Sequence, residues 1–193
     1  MKKLYNYLQG ELHYTNYQIQ VLHYFFLTVG SEVSKFLLIG FYFFLYGKFK
    51  IYLFSIALLW FLRFCSGGLH QKTYVRCLVF SFTYLALCIQ LLPAIPLKKS
   101  VALVLILVAT ILGYRIGPIP SPFRKHITIE QKGKYRKIQL LGLTLFEITL
   151  FITPLNAYLI TGFWVIMIHT LQLYIAYWRG GVKHDQGHRQ QLA

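Results

Sequence analysis

Ser100-Val-Ala-Leu-Val-Leu-Ile-Leu-Val-Ala-Thr-Ile-Leu-Gly-Tyr-Arg-Ile116 is seventeen residues with a single charge, Arg115, held at its end. A helix needs about 20 apolar residues to cross the hydrocarbon of a bilayer, with a lower limit near 17. The run therefore reads as a membrane-spanning helix. Its borders agree: Pro93, Pro96, Lys98 and Lys99 precede it, and Gly117-Pro-Ile-Pro-Ser-Pro122 closes it.

Working outward, five more apolar runs appear. Upstream are residues 77–97, 51–64 and 32–46; downstream are 138–153 and 155–178, separated at Pro154-Leu-Asn156. The whole chain of 193 residues is 56% hydrophobic and 18% aromatic, with mean hydropathy +0.53. Only 13% of it is charged, against about a quarter in soluble domains. These features predict an all-α, polytopic integral membrane bundle with about six hydrophobic segments, forming one membrane-embedded domain over residues 1–193.

Two runs are short. Residues 32–46, with Ser31 as a cap and Gly47 as a stop, would reach only about 22 Å at 1.5 Å per residue. Together with 51–64 they could form a tilted or re-entrant hairpin, or be covered by a second copy in a homodimer. Glu32 and Lys35, three apart, can neutralise each other. Residues 1–30 carry Leu4, Leu8, Leu12, Leu22 and Phe26 at helical spacing among Asn and Gln, which predicts an N-terminal amphipathic helix at the interface. The alternative is the first part of a longer membrane helix. Met1-Lys-Lys-Leu-Tyr-Asn-Tyr does not read as a cleavable signal peptide. Residues 123–137 read as a basic loop and 179–193 as a polar tail, loosened by Gly180, Gly181 and Gly187.

The net charge is +15, from 20 basic and 5 acidic residues. In so apolar a chain this points to membrane topology and anionic lipid or acidic peptide, not nucleic acid. If residues 63–76 face the cytoplasm, thirteen basic residues in 63–76, 115–137 and the tail share that side, against two at Lys98–Lys99. The excess predicts a multi-pass cell-membrane protein with residues 63–77 on the cytoplasmic side. The three cysteines form no disulfide framework, and neither a metal nor another cofactor is called for. His184 and His188 have i, i+4 spacing, but in a loose tail. His169, in the last apolar run, reads as a satisfied interhelical histidine.

Chemistry concentrates in Arg63-Phe-Cys-Ser-Gly-Gly-Leu-His70-Gln-Lys-Thr-Tyr-Val-Arg-Cys77, which interrupts the apolar runs. A cysteine needs a base to become a thiolate, and histidine supplies one. On an unbroken helix His70 and Cys77 would lie about 10 Å apart. Gly67-Gly68 can break the first helix, and Thr73 can begin the next. Cys77 would then lie near a helix N-terminus that favours a thiolate, and backbone N–H groups around Gly67–Leu69 could hold an oxyanion. The competing reading is an inert apolar cysteine beside an interfacial histidine. Cys65 and Cys88 sit in apolar runs. An orienting group for His70 would be Ser66, Gln71 or a residue of another helix. The chain lacks His-Glu-x-x-His, Glu-Glu and Gly-x-Ser-Gly, and its single Asp185 excludes a two-aspartate protease.

Arg63, Gly68, His70 and Cys77, in a basic membrane protein of this size with the turn at 118–122 and a Lys-rich stretch after it, resemble the accessory gene regulator B family. Those proteins are bacterial membrane cysteine endopeptidases that process quorum-sensing propeptides. The resemblance implies Cys77 as nucleophile and His70 as general base, with Arg63 and Gly68, beside Gly67, supporting processing. It implies cleavage on the C-terminal side of the signal through a thioester, followed by attack of the substrate's own Cys or Ser to give a thiolactone or lactone. Arg124, Lys125, Lys132, Lys134, Arg136 and Lys137 then become candidates for binding an acidic propeptide tail, with topology and lipid contact as the alternative. Residues 1–30 could dock the propeptide's leader. The rival from another class is a small transporter or peptide exporter without covalent chemistry.

Overall fold

The computed structural model describes residues 15–67, 73–119 and 128–191; within Asn16–Leu45 and beyond Trp178 some helical residues are described by backbone alone. Helices make up most of the described chain, and no strand occurs among the described residues, the all-α class expected of it. It divides into two units, Met1–Tyr46 and Gly47–Ala193.

The first unit contains α1, Asn16–Leu45. Thr15 caps it: its hydroxyl accepts from the Gln18 N–H, and the Gln18 side chain accepts from the Thr15 N–H. The expected break at Ser31 does not occur. Ser31 lies mid-helix and its carbonyl accepts from the Ser34 hydroxyl. Serine is a good cap but a weak breaker, and no proline stands near it, so the ladder continues. Phe25–Leu45 is long and apolar enough to span a membrane, replacing the short 32–46 segment. Glu32 and Lys35 form the expected ion pair. Residues 1–14 of the amphipathic segment lie outside the described residues.

Among the described residues the second unit holds five α-helices. They are α2 (Phe49–Ser66), α3 (Tyr74–Ala86), α4 (Lys99–Ile116), α5 (Ile129–Ile152) and α6 (Ala157–Gln191). A π-helical turn (Leu87–Leu91) and a 3₁₀ turn (Leu92–Ala94) extend α3. Pro93 explains this ending. It has no N–H for the carbonyl four residues back, that of Ile89. The Lys48 ammonium donates to that carbonyl instead, at 3.4 Å.

α2 is central and packs on α6, α5 and α3; α4 packs on α5 and α6. With little hydrophobic drive between helices in lipid, close backbone approach carries the packing. Gly142 of α5 shows this: a Cβ there would run into the Phe61 ring of α2. Gly162 of α6 likewise admits Phe146 of α5 and Phe54 of α2. Tyr84 of α3 donates to the Val165 carbonyl of α6 at 2.7 Å.

Among the described residues five helices, α1 and α2 included, are long and apolar enough to cross a membrane. The sixth, α5, is apolar only in its second half, because Lys132, Lys134, Arg136 and Lys137 occupy its first turns. Of the stretch 123–137 expected as a loop, residues 129–137 are helical instead. Thr128 and Gln131 form a capping box, and the helix begins at Ile129. The tail reading is corrected too, since α6 continues to Gln191 through Gly180, Gly181 and Gly187. Each internal glycine costs about 1 kcal/mol in a helix, which is not enough to stop one already nucleated upstream.

Candidate active site

The glycine break forms as expected at Gly67. α2 ends at Ser66, and Gly67 takes φ +81° and ψ −159° while its N–H bonds to the Arg63 carbonyl at 2.9 Å. That conformation is nearly closed to residues with a Cβ. Space is tight as well: an added Cβ would lie 3.1 Å from the Ile119 carbonyl oxygen, which would have to give by a few tenths of an ångström. The turn after α4 thus lies on the end of α2, and the Ile119 N–H donates to the Ser66 carbonyl at 3.1 Å.

On the other side of the break, α3 starts at Tyr74 with Thr73 in the cap position; its backbone is extended and its side chain makes no capping bond. Cys77 lies in the first turn, where its N–H bonds to the Thr73 carbonyl at 3.0 Å. Positions 77, 81, 84 and 88 share one helical face. Tyr84 and Cys88 on that face are buried, so Cys77 stands at the outer end of the stripe directed inward. Its accessibility sets it apart. Cys65 and Cys88 are 0% exposed, whereas Cys77 is only half-buried. Arg76 beside it is exposed and Arg63 is half-buried. The Arg63 Nε is buried without a hydrogen-bond partner among the described residues.

His70 and Gly68 lie outside the described residues, as do Arg124 and Lys125. Of the other basic candidates, Lys132, Lys134 and Lys137 are exposed on the first turns of α5. Arg136 is engaged within the fold. Its Nε donates to the Gly117 carbonyl at 2.8 Å and its Nη2 to the Arg115 carbonyl at 3.3 Å, with the guanidinium over the Tyr114 ring. It completes the C-terminus of α4, where a cation is favoured.

Ser66, weighed as an orienting group for His70, has another partner. Its hydroxyl donates to the Leu62 carbonyl at 2.7 Å and lies 2.8 Å from His169 Nε2. His169 is therefore interhelical, as its place in an apolar run suggested. That it meets Ser66, 103 positions away, could not be read from spacing.

The family description "Accessory gene regulator B" matches residues 1–173. An AgrB-like protein of Clostridium beijerinckii, itself described as putative, is 27% identical over 127 residues, which cover 65% of this chain and 62% of that relative. The chain thus spans less than two thirds of the relative it matches. No solved structure matches.

Proposed function

The chain belongs to the accessory gene regulator B family, with a role in the accessory gene regulator system, and from that premise we propose that it is a membrane cysteine endopeptidase that cleaves a signal propeptide. The observation that carries the reading is the contrast among the thiols. Cys77 is half-buried in the first turn of a helix that follows a glycine break, while Cys65 and Cys88 are sealed in the core.

The chemistry runs in two stages. His70 takes the proton from the Cys77 thiol, and the thiolate attacks the scissile carbonyl. Backbone N–H groups hold the resulting oxyanion. When the tetrahedral species collapses, the C–N bond breaks and the imidazolium returns its proton to the leaving amine. The N-terminal product remains as a thioester on Cys77. A Cys or Ser of that product then attacks the thioester, His70 taking its proton, and the Cys77 thiolate departs. The ring that forms is a thiolactone or lactone. A thioester keeps the acyl group activated for this step, provided water is held away.

The exposed Lys132, Lys134 and Lys137 would attract an acidic propeptide tail. The basic excess on residues 63–76, 115–137 and 179–189 favours a cytoplasmic site in a bacterial cell membrane. Incubation of the purified protein with a candidate propeptide tests the proposal. Cleavage that is lost in Cys77→Ala and in His70→Ala is expected; cleavage that persists in Cys77→Ala contradicts it. The transporter alternative predicts slow alkylation of Cys77 that His70→Ala leaves unchanged.

A further inference from the structure

Gln172 of α6 is buried within a span, 6% exposed, and its Oε1 has no hydrogen-bond partner among the described residues. Burying an unpartnered acceptor is destabilising. A leucine would fill similar space without that penalty, so packing does not call for an amide here. A polar side chain kept at such a place is a candidate for function.

The surroundings of Gln172 follow from a few contacts. α6 runs in the same direction as α2, since Gly162 meets Phe54 and His169 meets Ser66. α3 runs back along α2, since Lys48 before α2 reaches the Ile89 carbonyl after α3. α3 and α6 are therefore antiparallel, and the Tyr84 hydroxyl bond to the Val165 carbonyl sets their register. Cys77 lies seven residues before Tyr84, and Gln172 lies seven after Val165. Seven residues make two turns, about 10 Å of helix, and return to the same face. Two turns from the bond, towards the same end of the bundle, Cys77 and Gln172 stand at one level across the boundary between α3 and α6.

The two helices part in that direction. The Leu87–Ala94 continuation of α3 packs closely on α6, whereas Tyr74–Ala86 does so much less. The space between them is a wedge that widens towards Cys77. Its third wall is the last turn of α2. There the Arg63 Nε is buried without a partner among the described residues, within electrostatic reach of Tyr84 and His169. Unpartnered polar atoms on two walls suit a peptide group, which brings its own donor and acceptor.

We propose that Gln172 is a catalytic residue: its side-chain amide donates to the scissile carbonyl oxygen while Cys77 attacks from the other wall of the wedge. The proposal rests on the peptidase reading. When the thiolate adds, the carbonyl oxygen becomes an oxyanion, and a donor aimed at it stabilises that state more than the neutral carbonyl. A glutamine amide carries two N–H donors and no charge, so it supplies this bond without placing an ion in the span. Gln172 thus adds a side-chain donor to the backbone N–H groups. Removing one such donor costs about a hundredfold in kcat. The bond strengthens only as the charge develops, so KM changes little.

The test uses the full-length protein in detergent or bilayers with a processed propeptide. Gln172→Met and Gln172→Leu keep the bulk and remove the donor. Each is assayed for kcat and KM, for Cys77 alkylation by iodoacetamide, and for inhibition by a peptide aldehyde with the sequence of the N-terminal product. Alkylation needs the thiolate but forms no oxyanion. Addition of the Cys77 thiolate to the aldehyde carbonyl does form one. Expected are a fall in kcat of about a hundredfold with KM within about twofold, and aldehyde binding weakened at least about tenfold. Cys77 alkylation should stay within about twofold of wild type. A kcat within about threefold of wild type in Gln172→Met overturns the proposal. So does unchanged aldehyde affinity, or alkylation that slows as much as kcat, which would make Gln172 structural. Cys77→Ala is assayed in parallel. If that variant stays active, the peptidase reading has failed, which is a result distinct from failure of the Gln172 role.

Discussion

Gly67 carries the steepest local constraint in the site. Its φ of +81° strains any side chain, and the Ile119 carbonyl oxygen 3.1 Å from an added Cβ crowds it further. Gly67→Ala should cost about 1–3 kcal/mol, read as a lower Tm of the purified protein, and should reduce processing with it. An unchanged Tm would show that the break is not strained as described. Among the cysteines, alkylation at neutral pH should favour Cys77 over Cys65 and Cys88 by at least about tenfold, and His70→Ala should slow the Cys77 reaction itself while its exposure keeps it ahead of the two buried thiols. Much at this scale was legible. A glycine pair, a threonine and a cysteine at fixed offsets foretell a break, a helix start and a first-turn thiol. The Ser66–His169 bond was not, because it depends on how two helices separated by 103 positions are rotated against each other.

Helices were legible where apolar runs end in prolines or charges, and misread where a boundary rested on one polar residue. Ser31 looked like a cap but lies inside α1, since an isolated serine does not stop a helix. Conversely, Thr128-Ile-Glu-Gln131 is a capping-box pattern, and it shows that the basic stretch starts a helix. Its charges obscured that signal. The helical placement sharpens the role of each cation. Reversing Lys132, Lys134 and Lys137 to Glu should weaken processing by raising KM, with insertion into the membrane unchanged. Unaltered KM would assign those lysines to topology alone. Packing predicts a second contrast on α5. Gly142→Val drives into the Phe61 ring and should destabilise by about 1–3 kcal/mol. Gly133→Ala meets nothing within 4 Å and should stabilise by about 0.5–1 kcal/mol. Thermal unfolding in detergent reads both.

Across the second unit, the charges sort by end. Arg115, Lys132, Lys134, Arg136 and Lys137 gather where α2 ends and α3 begins. The opposite end holds Lys98 and Lys99 and also Lys48 and Lys50, which the count of thirteen against two left out. Two of these bind helix-end carbonyls: Lys48 that of Ile89, and Lys99 that of Thr153 at 3.0 Å. The basic excess still favours the site end. In intact cells, Lys98→Cys should react with an impermeant maleimide, and Lys137→Cys should react only after permeabilisation. The reverse pattern would put the site outside. Class and most of the spans were legible because lipid enforces composition; His70 lies outside the described residues. The most direct test of the central claim is intact-mass spectrometry of the protein caught during turnover with a propeptide. The account predicts an adduct on Cys77 equal in mass to the N-terminal product, released by hydroxylamine and absent from Cys77→Ala. Cleavage that proceeds with no thiol adduct, and undiminished in that variant, would contradict it.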